Sequence, residues 1–247
     1  MPHWKQPPES PPRPLPGSGV DLWRIDLDRD DAVAATARGL LSPEELERFE
    51  RFKPVEVKRR FALARGGMRS ILGRYLECAP DGLEFRYGEQ GKPDLVHCQN
   101  PGGLRFNLSH SHELAVLAVS VRREVGVDVE RLRDNVEFSR LAARHFSPEE
   151  AGTLESLQGE DLMRRFFQIW TAKEAYIKAI GKGLRIPLDQ FAVAVDDESG
   201  REPSLLHTRH APEEKDRWSF QKLDCGDDYM GTLATEGPSG DLRFLQA

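Results

Sequence analysis

The sequence predicts an α+β fold that consists of two similar halves. Over about residues 56–77, apolar side chains recur at intervals of three and four, which is typical of a helix with one buried face. A second long helical pattern covers about residues 162–180. Each helix is followed by short segments in which apolar and polar residues alternate, as in strands that are buried on one face. The repeated order predicts two units, each with a long helix packed on a small antiparallel sheet.

The strand patterns place the boundary between the two units near residue 126. The segments LEFRY, LRFNLS, LAVLAVSV and VGVDVE follow the first helix, and FAVAVDD, SLLHT, WSFQKLD and MGTLAT follow the second. We therefore assign residues 20–125 to an N-terminal half and residues 126–247 to a C-terminal half, with a cleft expected at their junction. Residues 1–19 are dominated by proline and are predicted to form a disordered tail.

Composition and charge exclude several classes of protein. The chain of 247 residues has a formal net charge of −6, so its surface as a whole should repel nucleic acids and acidic membranes. No stretch approaches the roughly 18 consecutive apolar residues of a membrane span, and the N-terminus is rich in proline instead of carrying an apolar leader. The 3 cysteines lie far apart and indicate neither a disulfide framework nor a thiolate metal site. These features predict a cytoplasmic protein without nucleic acid or membrane partners.

Positive charge is concentrated in one part of the N-terminal half. A capping signal at Ser42 starts a helix that contains Arg48, and arginines and lysines then recur as far as Arg74. Arg60 and Arg65 belong to this group. On a protein with net negative charge, such a group predicts a confined anion site, although a solvated helix face would have the same composition.

Two carboxylates occupy alternate positions in the segment GVDVE, residues 126–130. In a strand, Asp128 and Glu130 point to one face, while Val127 and Val129 point to the other. Like charges held this close repel each other, and a divalent cation with oxygen ligands is one way to offset the repulsion. A solvent-facing strand edge is the alternative interpretation.

The second long helix carries another acidic candidate. Trp170, Glu174 and Lys178 are spaced by four residues and share one face of the helix. A Glu–Lys pair at this spacing is also an ordinary helix-stabilising pair worth about 0.2–0.5 kcal/mol. The segment Gly181-Lys182-Gly183 is a suitable helix stop, and its backbone could approach a ligand closely.

A further polar segment is FNLSHS, residues 106–111, in which Asn107 and Ser109 share one strand face. The adjacent Ser109 and His110 could suggest a hydrolase. However, neighbouring strand residues point to opposite faces, and no Gly-x-Ser-x-Gly turn or orienting acid accompanies them. A hydroxyl and an imidazole are better suited to bind a phosphate, particularly beside Lys92 in the turn Gly91-Lys92-Pro93.

In their order along the chain, the segments GKP, FNLSHS, GVDVE and WTAKEAYIKAIGKGL resemble the 4′-phosphopantetheinyl transferases of the larger, surfactin-synthetase-activating (Sfp) type. The resemblance covers about residues 42–191, and the last two segments are the specific signature of the family. It implies a pseudo-dimer of two α+β halves with the active site between them. It also implies an activity, the transfer of the 4′-phosphopantetheine arm of coenzyme A to a serine of an apo acyl or peptidyl carrier protein. Adenosine 3′,5′-bisphosphate would be released.

The resemblance also implies roles for individual residues. Asp128, Glu130 and Glu174 are expected to bind Mg²⁺, or alternatively Mn²⁺, around the pyrophosphate of coenzyme A. Lys178 is expected to contact a phosphate and to offset charge that grows in the transition state. Glu174 is also the candidate base for the proton of the carrier serine, directly or through a bound water.

The 3′-phosphate of coenzyme A is expected to contact three motif residues, Lys92, Ser109 and His110. A basic residue of the N-terminal half should complete this contact. Arg48 is the best match to the family pattern, followed by Arg60 and Arg65, because a planar guanidinium can bind two phosphate oxygens. Glu45 stands where some relatives have a second basic residue, so this part of the site departs from the pattern.

The remaining predictions concern the surface that contacts the carrier protein and two alternative functions. Carrier proteins are typically acidic, so the segment 131–146, with Arg133, Arg140 and Arg144, is a candidate contact surface, with a solvated helix as the alternative. A second possibility is a catalytically silent relative of these transferases that binds coenzyme A or another nucleotide as a sensor. A nuclease with a metal at Asp128 and Glu130 is a third. The resemblance also implies a monomer, because in the larger family type both sides of the cleft come from one chain.

Overall fold

The computed structural model describes residues 4–6, 17, 19–88, 91–181, 186–195, 201–209 and 211–247. It has the predicted α+β class. The helices are α1 (Asp31–Arg38), α2 (Pro43–Arg51), α3 (Val55–Leu76), α4 (Phe138–His145), α5 (Pro148–Gly152) and α6 (Gly159–Ile180). The strands are β1 (Val20–Asp26), β2 (Phe85–Tyr87), β3 (Pro93–Leu95), β4 (Leu104–Ser111), β5 (Leu114–Val121), β6 (Val125–Arg131), β7 (Phe191–Ala194), β8 (Ser204–Thr208), β9 (Trp218–Leu223), β10 (Tyr229–Glu236) and β11 (Leu242–Gln246).

The first half is built on a sheet with the strand order β11-β1-β5-β4. Strand β11 is parallel to β1, and the other neighbours are antiparallel. Helix α3 covers one face of this sheet, where its Met68 and Leu72 are buried with Trp23 of β1. Gly66 allows α1 to lie against α3, because a Cβ at this position would overlap the backbone of Ala37.

The second half packs α6 on an antiparallel sheet with the order β6-β10-β9. Gly126 of β6 lies so close to α6 that a Cβ would overlap the backbone of Ala175 and Ala179. A glycine at this position therefore sets the separation between the helix and the strand that carries the acidic residues. On its other side α6 contributes Tyr176 to an apolar core that also contains Phe191 of β7.

The two sheets face each other across a third apolar cluster. Strands β1 and β5 contribute Leu22 and Val116, and β6 contributes Val127 and Val129. Because successive side chains of a strand point to opposite faces, the acidic residues of β6 point away from this junction and toward α6. The predicted alternation of the segment GVDVE is therefore present.

The last strand, β11, lies in the sheet of the first half, although the division at residue 126 assigns it to the second. Near the chain start, the backbone N–H of Lys5 donates to the carbonyl of Phe244, and the N–H of Gln246 donates to the carbonyl of Lys5. Trp4 packs edge-on against the ring of Phe244 at 5.1 Å. Residues 4–6 thus depart from the predicted disordered tail, because the edge of β11 offers them backbone partners. Residues 1–3, 7–16 and 18 of that tail lie outside the described residues.

The helix ends follow local signals in the sequence. Helix α2 begins with the predicted capping box, in which Ser42 and Glu45 each accept a hydrogen bond from the backbone N–H of the other. Helix α6 begins at Gly159, earlier than predicted, and stops at Gly181, which has φ +67°. Lys182 and Gly183 of the predicted stop lie outside the described residues. Within the described ranges, no helix combines the length and the apolar character that crossing a membrane requires.

Candidate active site

Two clefts meet between the halves of the molecule. The first cleft, of about 400 Å³, lies between α2, α3, the turn before β3 and the end of α6. The second cleft, of about 900 Å³, lies between β4, β6, the end of α4 and α6. They share one wall, formed by Leu108, His110, Glu174 and Lys178. A molecule that spans both clefts would therefore pass over Glu174 and Lys178.

The second cleft contains the three predicted carboxylates. Asp128 and Glu130 come from β6, and Glu174 comes from α6. The side chain of Asp128 is 5% exposed, and its Oδ1 accepts hydrogen bonds from Lys178 Nζ at 2.6 Å and Ser109 Oγ at 3.0 Å. Glu174 makes no hydrogen bond to any described residue. In the part of the chain that the structure describes, no three acidic, histidine or cysteine side chains are placed closely enough to hold a metal ion as they stand.

The carboxylates nevertheless interact electrostatically. Burial and the negative charge of Asp128 raise the pKa of Glu174, and the same two effects raise the pKa of Glu130. The charge of Lys178 opposes both shifts. Asp128 Oδ2 is buried and has no hydrogen-bond partner among the described groups, which is uncommon for a buried polar atom. Oxygen donors, mutual repulsion and one unpartnered carboxylate oxygen fit a hard divalent cation such as Mg²⁺.

The first cleft is lined by positively charged side chains. Arg48, Arg65 and Lys92 line it together with His110. Removal from water lowers the pKa of His110, and the positive charges of Lys178, Arg65 and Arg48 lower it further. Arg48 lies over the ring of Phe61 at 5.5 Å and has no carboxylate partner among the described residues. This concentration of positive charge in a cleft of a net-acidic protein favours an anionic ligand.

Arg60 is placed differently from the other two predicted arginines. It is absent from the lining of both clefts as far as the structure describes them. Its Nη2 donates to Glu113 Oε1 at 2.8 Å, and Glu113 also accepts from Arg131 Nη1 and Tyr229 Oη. These bonds link α3 to β6 and β10. Because Glu113 neutralises the guanidinium, Arg60 is less suited to a phosphate than Arg48 or Arg65.

Lys92 joins the two halves beside the first cleft. Its Nζ donates to the carbonyl of Ala179 at 3.1 Å, to the carbonyl of Val125 at 3.2 Å and to Glu124 Oε2 at 3.2 Å. Ala179 belongs to the last turn of α6, where free carbonyls attract cations. An ammonium has three protons, so these bonds use all of them. Contact between Lys92 and a phosphate would require one of the bonds to be given up.

Glu45 departs from the family pattern for a structural reason. Its Oε2 accepts a hydrogen bond from Arg69 Nε at 2.6 Å, and both side chains are at most 3% exposed. Arg69 also donates to the backbone carbonyls of Pro80 and Leu83. Glu45 therefore anchors α2, the helix that carries Arg48, on α3.

Two groups that hold the site together escaped the sequence predictions. Lys173 and Glu150 form a buried ion pair at 2.6 Å, and Lys173 Nζ also donates to the carbonyl of Phe191. Lys173 thereby fixes the core side of α6 directly behind Glu174. The sequence feature that could have indicated this buried lysine is its position on a helix face that is otherwise apolar. The other is the set of bonds to β6 from the β4 side chains Asn107, Ser109 and Ser111. The sequence predicts Ser109 at the 3′-phosphate, but it lines the second cleft, where it bonds to Asp128 and Lys178.

Comparisons with known proteins agree on one family. The family model described as "ACPS: 4'-phosphopantetheinyl transferase superfamily" matches residues 124–234, a range that contains the three carboxylates and Lys178. The 4'-phosphopantetheinyl transferase HetI of Nostoc sp. (strain PCC 7120) is 39% identical over 237 residues, which are 96% of each chain. The 4'-phosphopantetheinyl transferase Sfp of Bacillus subtilis (strain 168) is 30% identical over 78% of this chain and 84% of that protein.

A solved holo-(acyl-carrier-protein) synthase from Bacillus anthracis str. Ames is 20% identical and covers 47% of this chain and 96% of its own, with a TM-score of 0.38. The match to HetI, in contrast, extends over both halves of the fold and therefore over both clefts. The match to Sfp includes most of the same region. The chain belongs to the 4′-phosphopantetheinyl transferase superfamily, and within it to the larger Sfp type.

Proposed function

We propose that this enzyme transfers the 4′-phosphopantetheine arm of coenzyme A to a serine of an apo carrier protein and releases adenosine 3′,5′-bisphosphate. One observation carries the proposal: a cationic cleft and a carboxylate cleft share a wall that contains Glu174 and Lys178. Coenzyme A has the matching order of a nucleotide with a 3′-phosphate, a pyrophosphate and an uncharged arm. The nucleotide fits the first cleft, the pyrophosphate the shared wall and the arm the second cleft.

Asp128, Glu130 and Glu174 are the proposed ligands of Mg²⁺, with Mn²⁺ as an alternative ion. The unpartnered Oδ2 of Asp128 and the raised pKa values of Glu130 and Glu174 support this assignment. When bound there, the ion supplies positive charge that neutralises the pyrophosphate. Lys178 holds the other oxygen of Asp128, Oδ1, at 2.6 Å, so Oδ2 is the oxygen that would be available to the ion.

The reaction is an in-line displacement at the β-phosphorus of coenzyme A. The carrier serine oxygen forms a bond to this phosphorus, and the bond to the bridging oxygen breaks with its electron pair leaving on adenosine 3′,5′-bisphosphate. Glu174 accepts the serine proton, because its carboxylate lies in the wall shared by both clefts and makes no hydrogen bond to any described residue. Lys178 faces the phosphate oxygens on which charge grows and stabilises that charge.

Removing the guanidinium of Arg48 is expected to weaken coenzyme A at its 3′-phosphate. Because a hydrogen bond to a charged group contributes about 1.5–3 kcal/mol, Arg48→Ala should raise KM for coenzyme A at least about tenfold. Dephospho-coenzyme A lacks the 3′-phosphate, so its KM should be nearly the same for the variant and the wild type. Arg51→Ala is the matched control, since Arg51 lies on the same helix, is 73% exposed and pairs with Glu47. An equal effect on both substrates would show that Arg48 does not bind the 3′-phosphate.

Arginines beside the second cleft are the proposed contacts for an acidic carrier protein. Arg144 lines this cleft, and Arg140 on the same helix is 84% exposed. Replacing both with glutamate should raise KM for the carrier about tenfold through charge repulsion and should change KM for coenzyme A much less, because the arm assigned to this cleft is uncharged. Arg164→Glu, on another helix, is the control. A carrier KM that stays at the wild-type value would remove this surface from the proposal.

We further propose that the enzyme acts as a monomer in the cytoplasm, without nucleic acid or membrane partners. Support for a monomer comes from the walls of both clefts, which are formed within one chain. The net charge of −6 disfavours binding to nucleic acids and acidic membranes. Sedimentation of the purified chain would test the oligomeric state, and a stable dimer would contradict it.

The test of the proposed function is the release of adenosine 3′,5′-bisphosphate from coenzyme A and Mg²⁺. Release should require an apo carrier protein and should stop when the carrier has been converted completely. Binding of coenzyme A without any release, across acyl and peptidyl carriers, would favour a sensor instead. Cleavage of DNA or RNA under the same conditions would favour a nuclease.

A further inference from the structure

Three side chains of β4 supply hydrogen-bond acceptors to the edge of β6. The acceptor–donor pairs are Asn107 Oδ1 with the N–H of Val127 at 2.9 Å, Ser109 Oγ with that of Val129 at 3.4 Å, and Ser111 Oγ with that of Arg131 at 3.1 Å. From one pair to the next, the residue number rises by two in β4 and by two in β6. The two strands therefore run side by side in the same direction. Backbone N–H groups at a sheet edge need partners, and here side chains provide them. The sheet of the first half is thereby attached to the strand that carries Asp128 and Glu130.

Ser111 makes a second bond from the same hydroxyl group. Its Oγ donates to Glu130 Oε2 at 2.9 Å. A hydroxyl has one proton and two lone pairs, so the proton is directed to Glu130 while a lone pair accepts the N–H of Arg131. The residue is 8% exposed and lies at the end of β4, which pairs with β5 in the sheet of the first half. The Ser111 hydroxyl therefore links the backbone of Arg131 to the carboxylate of Glu130 and restrains both.

Ser111 lines neither of the two clefts as far as the structure describes them. Glu130, in contrast, lines the second. Ser109 has a similar relation to Asp128, but it also accepts a hydrogen bond from Lys178. A change at Ser109 would therefore disturb several groups of the site at once. Ser111 contacts a single carboxylate, that of Glu130, and the backbone N–H of Arg131, so a change there leaves the bonds of Asp128 and Lys178 in place.

We propose that Ser111 is a positioning residue that holds Glu130 in the orientation required for metal binding. The N-terminal half thus takes part in the metal site through β4, although all the proposed ligands come from the C-terminal half. This inference rests on the proposed function and on the metal assignment within it. A hydrogen bond that orients a ligating carboxylate commonly contributes about tenfold or more in metal affinity.

The test measures Mn²⁺ binding to the full chain in the presence of coenzyme A, from the electron paramagnetic resonance signal of free Mn²⁺. Ser111→Ala should raise Kd for Mn²⁺ about tenfold. Ser111→Thr keeps the hydroxyl and should stay within about threefold of the wild type. Ser120→Ala is the matched control, because Ser120 is 1% exposed on the neighbouring strand β5 and bonds to the carbonyl of Arg123, away from the carboxylates. Binding of adenosine 3′,5′-bisphosphate without metal should be unchanged in all variants.

Each result distinguishes the inference from the proposed reaction. Wild-type Mn²⁺ affinity in Ser111→Ala would overturn the inference, even if the enzyme transfers the arm. An equal loss in Ser120→Ala would overturn it as well, since the effect would then be general destabilisation. A wild-type chain that does not bind Mn²⁺ would contradict both the metal assignment and the inference. The three variants could show the expected Mn²⁺ affinities although the wild-type chain transfers no arm. That result would support the inference and contradict the proposed reaction.

Discussion

Replacing Glu174 with glutamine is expected to lower kcat for arm transfer by about a thousandfold, the usual range for loss of a general base. The side chain lies in the wall shared by both clefts, where burial and Asp128 raise its pKa. Glutamine keeps the shape of the side chain, but it cannot take up the serine proton as a carboxylate does. The measurement is the rate at which the mass of an apo carrier increases, compared between the variant and the wild type.

The control for Glu174→Gln is Glu160→Gln on the same helix. Glu160 is 67% exposed and pairs with Arg164, so its replacement should leave kcat unchanged. Coenzyme A should still bind to the Glu174 variant, because the cations of the first cleft are intact. Mn²⁺ affinity separates the two roles of Glu174: a large loss indicates a ligand, whereas retained affinity without transfer indicates a base. Normal turnover by the variant would refute the base hypothesis.

The second large effect concerns stability. Lys173→Met is expected to lower the free energy of unfolding by about 3–5 kcal/mol, because it leaves the carboxylate of Glu150 buried without its cation. Lys173 is 0% exposed, and both oxygens of Glu150 accept from its Nζ within 2.7 Å. Urea unfolding followed by circular dichroism would measure the loss.

Lys178→Met is the matched control, since the same change is made five positions along the same helix. The side chain of Lys178 is 28% exposed and its partner Asp128 lies in the second cleft. This variant should lose arm transfer. Its free energy of unfolding should fall much less than that of Lys173→Met. Equal destabilisation by the two changes would contradict the distinct roles assigned to them. Adding Glu150→Gln to Lys173→Met should recover part of the stability, because the buried unpaired charge is removed.

Local periodicity was sufficient to predict the parts of the site that lie within single elements. Alternation along β6 places Asp128 and Glu130 on one face, since the period of a strand is two residues. The spacing of four residues places Glu174 and Lys178 together on one face of α6. Both predictions depend only on backbone geometry, and the structure has both arrangements.

Contacts between distant segments could not be predicted from local patterns. Lys92 was expected at a phosphate, but its acceptors include the carbonyls of Val125 and Ala179, which any residue type would provide. Strand β11 joins the first sheet through parallel pairing with β1, more than two hundred positions earlier in the chain. Ser111 belongs to the same group, because its importance depends on the register between β4 and β6.

Charged residues in the core were a second source of missed contacts. A lysine or glutamate on a helix is usually solvated, so the sequence favours a surface position for Lys173 and Glu45. Each is buried beside at least one side chain of opposite charge and takes part in further hydrogen bonds. Such pairs can be recognised in a sequence only when the two helices or turns are already known to meet.

The most direct test of the central claim is the intact mass of an apo carrier protein after incubation with the wild-type chain, coenzyme A and Mg²⁺. The carrier should gain the mass of one phosphopantetheine arm. It should gain nothing when its acceptor serine is replaced with alanine or when a chelator removes the metal. A carrier that keeps its original mass, across acyl and peptidyl carriers and with a folded enzyme that binds coenzyme A, would contradict the claim.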